Sequence, residues 1–197
     1  MTDQRAANPH NDLRTVMFKA RDMAANGELP AAASMYAAAA HGSQARKYTG
    51  KPYMTHCIAV AEMVKRHKGT PEMIAAAYLH DTVEDTATNI DDILQMFGET
   101  VATYVLYMTS LTNPLHGNRA TRKHMDALFL GEAPDEVDTI KACDLIHNSQ
   151  SIMAHDPKFA KVFIPEMKAL FERHIINCDP DLYDKALEIF DEFYGVD

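Results

Sequence analysis

The sequence predicts an all-α fold, a bundle of about ten helices. Apolar residues recur at helical spacing along nearly the whole chain, and no segment alternates in the two-residue period of a half-buried strand. Valine, which favours strands, is not concentrated anywhere. The predicted helices cover residues 13–26, 31–46, 54–67, 72–84, 90–97, 99–110, 119–130, 137–153, 158–173 and 182–194.

Capping signals support several of these boundaries. The segment 69–72, Gly-Thr-Pro-Glu, contains a helix-ending glycine, an N-cap threonine, a proline at the first helical position and an early acid. Thr88 and Asp91 resemble a capping box ahead of the apolar run "ILQMF". The Asp-Pro pairs at 156–157 and 179–180 each end one helix and begin the next.

Length and composition predict one globular domain over residues 13–197, preceded by a flexible segment, 1–12. The chain has 197 residues, 47% of them hydrophobic and 24% charged. Its first residues lack the apolar core of a signal peptide, and no run of 18 apolar residues predicts a membrane span. Three cysteines without C-x-x-C spacing indicate reduced thiols, so we expect a cytoplasmic protein.

The charge balance argues against binding to nucleic acid or to an anionic membrane. The formal net charge is −9, from 28 acidic residues against 19 Lys plus Arg. A small anionic ligand is compatible with this charge, because a metal ion and a local basic cluster can hold one. The oligomeric state is left open.

Residues 75–88, "AAAYLHDTVEDTAT", place an imidazole and three carboxylates at the end of an apolar helical run: His80, Asp81, Glu84 and Asp85. Acids near a helix C-terminus face the negative end of the macrodipole, at a cost of ~0.3–1 kcal/mol each. A bound cation would offset this cost.

Two further segments carry groups that bind metals. His56 lies on the first turn of the helix that follows Pro52. In the segment 139–156, polar residues recur in steps of three and four, which describes either a solvated face or a site; they are Lys141, Asp144, Asn148, Ser151 and His155.

Together these segments predict a mixed nitrogen and oxygen site for one divalent ion, with the ligands His56, His80, Asp81 and Asp144. Such a set suits Mn²⁺ or Fe²⁺, and Zn²⁺ accepts the same donors. Five other histidines are interpreted as structural or surface groups: His41, His116, His124, His147 and His155.

Three segments, "AAHGSQARKYTGKPYMTHCIAVAEMV", "AAAYLHDTVEDT" and "TIKACDLIHNSQSI", resemble the HD-type hydrolase domain of RelA/SpoT proteins, and most of all the free-standing small alarmone hydrolases that include the metazoan SpoT homologue. The resemblance runs over residues 37–171. It implies an HD-type helical bundle that removes the 3′-pyrophosphate of (p)ppGpp, giving GDP or GTP and pyrophosphate, with one Mn²⁺.

The resemblance also implies roles for individual residues. It assigns the four metal ligands named above and a catalytic acidic pair, Glu84 and Asp85. Arg46 and Lys47 match a pair at the nucleobase, and Asn148 and Ser151 match positions that contact the nucleoside.

Charge alone suggests which groups offset the phosphates: Lys141, Arg119, Arg122 and Lys123. Two alternatives stay open at this level. In the first alternative, the enzyme acts on a related nucleotide, such as (p)ppApp or NADPH losing its 2′-phosphate. In the second, the chain is a catalytically inactive HD module that senses a nucleotide.

Overall fold

The computed structural model describes residues 13–195, which form eleven α-helices and one short 3₁₀ helix, so the all-α prediction is confirmed. The predicted flexible segment 1–12 lies outside the described residues. The helices are α1 (Leu13–Ala25), α2 (Leu29–His41), α3 (Met54–Arg66), α4 (Pro71–Leu79), α5 (Thr82–Asp85), α6 (Ile90–Phe97), α7 (Glu99–Met108), the 3₁₀ helix (Pro114–His116), α8 (Arg119–Leu130), α9 (Asp135–His155), α10 (Pro157–Arg173) and α11 (Pro180–Tyr194).

Two helices form the centre of the bundle. The short helix α4 packs against α2, α3, α7 and α9, and the long helix α9 packs against α3, α4, α7, α10 and α11. The three helices α3, α4 and α9 therefore contact one another pairwise. The predicted metal ligands lie on these helices or directly after α4.

Small side chains allow the central helices to approach closely. Residues 75–77 of α4 are all alanine and are fully buried. On the facing helix α2, Ala32, Ala33 and Ala37 are also fully buried. A helix that is apolar on every side is expected to be enclosed by others, which is the position of α4.

Some predicted helix ends are confirmed and others are shifted. The hydroxyl of Thr70 accepts a hydrogen bond from the Met73 amide at the start of α4, as an N-cap does. The capping box of α6 is formed by Asn89 and Asp92 instead of Thr88 and Asp91. The Thr88 hydroxyl is engaged elsewhere, because it is hydrogen-bonded to Tyr36 and Thr86.

The predicted helix 31–46 is too long at its C-terminus. Helix α2 ends at His41, and Gly42 follows with φ +52°, a left-handed conformation that glycine adopts readily. The chain then makes a tight loop closed by the Arg46 amide, which donates to the carbonyl of Lys51 at 2.8 Å. Arg46 therefore lies on a loop and not on a helix.

The predicted helix 72–84 is interrupted directly at the proposed ligands. Helix α4 ends at Leu79, and α5 begins at Thr82, so His80 and Asp81 form the junction. His80 Nδ1 lies 2.8 Å from the carbonyl oxygen of Ala77, and the Thr82 hydroxyl donates to the carbonyl of Leu79 at 2.7 Å. These side chains compete for carbonyls that a continuous helix would use, which explains the break.

None of the helices within residues 13–195 combines the length and the apolar character that a membrane crossing would need.

The close packing of α2 on α4 predicts a contrast between two neighbouring alanines. Ala37 is fully buried, whereas Ala38 is exposed on the same helix. We expect Ala37→Leu to lower the free energy of unfolding by about 1–3 kcal/mol through overpacking, and Ala38→Leu to change it by less than about 0.5 kcal/mol. Urea unfolding of both variants measures this, and equal effects would contradict the packing described here.

Candidate metal centre

The side chains of His56, His80, Asp81 and Asp144 converge where α3, the α4–α5 junction and α9 meet. His56 Nε2 lies 3.2 Å from His80 Nε2 and 3.2 Å from Asp144 Oδ1. Asp81 Oδ2 lies 3.0 Å from His80 Nε2 and 3.5 Å from His56 Nε2. Both imidazoles are buried, as is Asp144, and Asp81 is partly exposed.

These separations suit a single bound cation. Ligand bonds of ~2.0–2.2 Å place adjacent ligand atoms roughly 3–3.5 Å apart. The distances between the imidazole nitrogens and the carboxylate oxygens here are 3.0–3.7 Å. Ligand atoms of His56, His80 and Asp81 all lie within 4.8 Å of one another. Asp144 lies outside this group of three but next to both imidazoles, with Oδ1 3.2 Å from His56 Nε2 and 3.7 Å from His80 Nε2. The described residues thus include a His/Asp group with the donors and the spacing of a metal site.

The break in the helix explains how adjacent residues reach one point. On a regular α-helix, neighbouring side chains diverge by ~100°. At the α4–α5 junction Asp81 is distorted from regular helical values, with φ −98° and ψ −4°, and its Oδ2 atom approaches His80 Nε2 to 3.0 Å. Because His80 Nδ1 donates to the carbonyl of Ala77, Nε2 is the ring atom that can bind a cation once it has lost its proton.

The electrostatics of the cluster favour a positive charge at its centre. Burial is the largest single influence on Asp81 and Asp144 and opposes their ionisation. The charge of His80 beside Asp81, the charge of Lys141 beside Asp144, and hydrogen bonds from both imidazoles outweigh it, so the pKa of each carboxyl is lowered. Although burial acts in the opposite direction, the two carboxylates raise the pKa of His80 well above its ordinary value.

Further side chains hold the two carboxylates in place. The Tyr53 hydroxyl donates to Asp81 Oδ2 at 2.7 Å. Asp144 accepts hydrogen bonds from Asn148 Nδ2 at 2.6 Å and from Lys141 Nζ at 3.1 Å. Supporting bonds of this kind orient metal ligands and fix their charge state.

Glu84 and Asp85 lie on α5, directly after the predicted ligands His80 and Asp81, and both are exposed. Glu84 Oε2 accepts a hydrogen bond from the Ser110 amide at 3.1 Å, and Asp85 Oδ2 accepts one from Gln44 Nε2 at 2.9 Å. Each acid therefore has a hydrogen-bond partner from another segment of the chain while its side chain remains open to solvent.

A cavity of about 430 Å³ lies one side chain away from the cluster, and its lining residues do not include the four predicted ligands. Two residues that line it connect it to the ligands: Arg46 donates to Asn148 Oδ1 at 2.7 Å, and His147 Nδ1 lies 2.8 Å from His56 Nδ1. Ser151 also lines this cavity. The structure therefore brings together three of the residues predicted to contact the nucleotide: Arg46, Asn148 and Ser151.

Other predicted substrate contacts lie elsewhere. The Lys47 side chain is 75% exposed, and its ammonium group interacts with Tyr48 and with Asp156 instead of lining the cavity. Arg122 donates to the carbonyl of Gly117.

The remaining basic candidates divide into two groups. Arg119 forms a two-bond ion pair with Glu166. Lys123 and Lys141 share a second, smaller cavity of about 60 Å³ with Ser110. Lys141 also donates to Asp144 Oδ2, so among these basic residues it is the one that contacts a predicted ligand directly.

Sequence reasoning did not identify Tyr53, Gln44 and His147 as parts of the site. Tyr53 precedes His56 by three residues and His147 follows Asp144 by three, so helical spacing from the ligands was the available signal. Burial and the charges of His56 and Arg46 lower the pKa of His147 to about 4, which keeps this ring neutral near pH 7. Gln44 carried no signal, since its contact with Asp85 joins positions 41 residues apart.

Curated sequences that are similar to this chain include one from Synechocystis and one from Oryza sativa. A probable guanosine-3′,5′-bis(diphosphate) 3′-pyrophosphohydrolase of Synechocystis is 35% identical over 134 residues, which are 66% of this chain and 18% of that protein. A probable chloroplastic GTP diphosphokinase of Oryza sativa is 30% identical over 163 residues, covering 75% of this chain and 23% of that protein. The chain spans about a fifth of the length of these relatives.

A solved structure has the same fold. It is that of a metazoan ortholog of SpoT, which is described as hydrolysing ppGpp and having a role in starvation responses. The two structures match with a TM-score of 0.75 and 23% sequence identity, over 83% of this chain and 94% of the other. The predicted HD-type bundle is thereby confirmed at the level of the fold.

The assignment of the chain to a family rests on a match that covers well over half of its length. The model of the HD domain matches residues 33–172, nearly the segment 37–171 that carries the sequence resemblance. The chain belongs to the HD domain family.

Proposed function

We propose that this chain is a metal-dependent phosphohydrolase that removes the 3′-pyrophosphate of guanosine alarmones, (p)ppGpp, giving GDP or GTP and pyrophosphate. The observation that carries the proposal is the convergence of four ligand atoms from separate segments beside a cavity of nucleotide-binding size. The name of the Synechocystis relative supports the choice of substrate.

The proposed ligands of the ion are His56, His80, Asp81 and Asp144, and the proposed ion is Mn²⁺. Two nitrogen and two oxygen donors suit a borderline-to-hard divalent cation. When bound, such an ion supplies a Lewis acid that acidifies coordinated water and offsets phosphate charge. The lowered pKa values of Asp81 and Asp144 support this role, because both carboxylates are ionised near neutral pH and ready to bind a cation.

In this proposal, Glu84 accepts the proton of the attacking water molecule, and Asp85 assists it. The water oxygen attacks the phosphorus that is bonded to the ribose 3′-oxygen. The bond between that phosphorus and the 3′-oxygen breaks, and the 3′-oxygen takes up a proton. The hydrogen bond from Ser110 supports the role of Glu84, because it orients a carboxylate that is otherwise exposed.

The basic residues of the site have two proposed tasks. Lys141 offsets phosphate charge next to Asp144, since its ammonium group lies 3.1 Å from Asp144 Oδ2. Arg46 is held by Asn148 and lies 5.6 Å from the centre of the Tyr53 ring, so its planar guanidinium can stack on a nucleobase at the cavity wall.

A substrate panel tests the proposed activity. With Mn²⁺ present, we expect ppGpp to release pyrophosphate faster than ppApp does, and NADPH to release phosphate more slowly than either. Separate assays for pyrophosphate and for phosphate measure this. Turnover of NADPH alone would assign the site to a 2′-phosphatase, and no turnover of any of the three would favour an inactive nucleotide-binding module.

Replacement of the proposed base tests the mechanism. Glu84→Gln keeps the size of the side chain and an acceptor for Ser110 but removes the proton acceptor, so we expect kcat to fall by about 10²–10⁴ with little change in nucleotide affinity. Glu188→Gln on α11 is the control, since Glu188 is exposed and distant in sequence from every ligand. A Glu84→Gln variant as active as the parent protein would contradict the assigned role.

The raised pKa of His80 predicts how metal affinity depends on pH. In the metal-free protein this imidazole holds a proton near neutral pH, and the proton must leave before Nε2 can bind a cation. Metal affinity should therefore rise by up to about tenfold between about pH 7 and about pH 8. Competition with a chelator at both values measures this, and an affinity that stays constant or falls would contradict the charge state described for His80.

A further inference from the structure

We propose that His147 is a positioning residue that fixes the His56 imidazole for metal binding by accepting a hydrogen bond from its Nδ1–H group. This inference rests on the metal centre of the proposed function. It adds a residue that does not bind the ion itself. The contact that carries it is the distance of 2.8 Å between the Nδ1 atoms of the two rings.

The proton arrangement follows from the geometry of His56. Its Nε2 atom faces the cluster, 3.2 Å from His80 Nε2 and 3.2 Å from Asp144 Oδ1. A ring that binds a cation through Nε2 needs its lone pair on that atom, so its proton resides on Nδ1. The Nδ1–H group of a buried ring requires an acceptor, and the atom within reach is His147 Nδ1. His147 must therefore carry its own proton on Nε2.

The two proposed imidazole ligands differ in the hydrogen-bond partner of their Nδ1 atoms. His80 Nδ1 is paired with the carbonyl oxygen of Ala77, which can only accept a hydrogen bond. The partner of His56 is an imidazole nitrogen, which accepts in one tautomer and donates in the other. If His147 donated from Nδ1, the lone pair of His56 would move to Nδ1 and a proton would occupy Nε2. The tautomer of His147 thus determines whether His56 is competent to bind the ion.

The backbone gives His147 a fixed place. It lies on α9, three residues after Asp144, so the same helix supplies one proposed ligand and the partner of another. The rings of His56 and His147 have centroids 4.8 Å apart and are tilted by 36°. His147 also lines the cavity of about 430 Å³ beside the cluster, together with Arg46 and Ser151.

Substitutions at position 147 separate positioning from packing. Mn²⁺ affinity, measured by competition with a fluorescent chelator, should fall by about 10–100-fold in His147→Ala. In His147→Asn the amide oxygen can occupy the place of Nδ1, so we expect an affinity close to that of the parent. His147→Gln moves the amide one bond further out and should behave like His147→Ala. Circular dichroism and thermal unfolding of the metal-free variants verify that each one folds.

The outcomes are distinct. If His147→Ala binds Mn²⁺ as tightly as the parent does, or if His147→Asn binds it no more tightly than His147→Gln does, this inference is overturned while the proposed function stands. A parent protein that binds no divalent ion would overturn both.

A measurement on the unmutated protein does not depend on the folding of any variant. In ¹⁵N spectra of histidine-labelled protein loaded with diamagnetic Cd²⁺, His147 should show an unprotonated Nδ1 and a protonated Nε2. A protonated Nδ1 on His147 would overturn the inference.

Discussion

The buried charge at the meeting point of three helices is the constraint on which the rest of the site depends. Each of the two imidazoles lies 3.0–3.7 Å from both carboxylates, and three of these four side chains are buried. Buried carboxylates are costly unless a positive charge accompanies them. In the folded chain, His80 and Lys141 provide that charge. The proposed ion would replace the proton of His80 and leave the remaining contacts in place.

The surrounding structure holds the cluster through side chains that come from different helices and loops. Tyr53 fixes Asp81 from the start of α3, and Asn148 links Asp144 to Arg46 on the loop that follows α2. The cavity wall and the ligands thus belong to one hydrogen-bonded network. A nucleotide that displaces Arg46 would also disturb a contact of Asp144, so binding at the wall and the state of the cluster are physically linked.

Local sequence signals predicted most of the helices, because caps act over three or four residues. Thr70 and the aspartates at 156 and 179 begin helices as predicted. The break at His80 was not predicted, since residues 72–84 have continuous helical character. The hydrogen bond of the His80 side chain to the carbonyl of Ala77, which competes with the backbone bonds of the helix, is visible only in the structure.

Local signals likewise predicted which residue types form the site, but not the contacts made between distant parts of the chain. Three of the proposed ligands form one group and Asp144 lies next to it, whereas the contacts of Gln44 with Asp85 and of Lys47 with Asp156 depend on tertiary structure. The alanines of α4 also limit how such a site can change. Methyl groups at 75–77 set the distance between neighbouring helices, so a larger residue there would push apart the elements that carry the ligands. New substrate preferences are therefore expected to arise from substitutions along the open rim, at positions such as Thr49 and Gln150, and not from the layer beneath it.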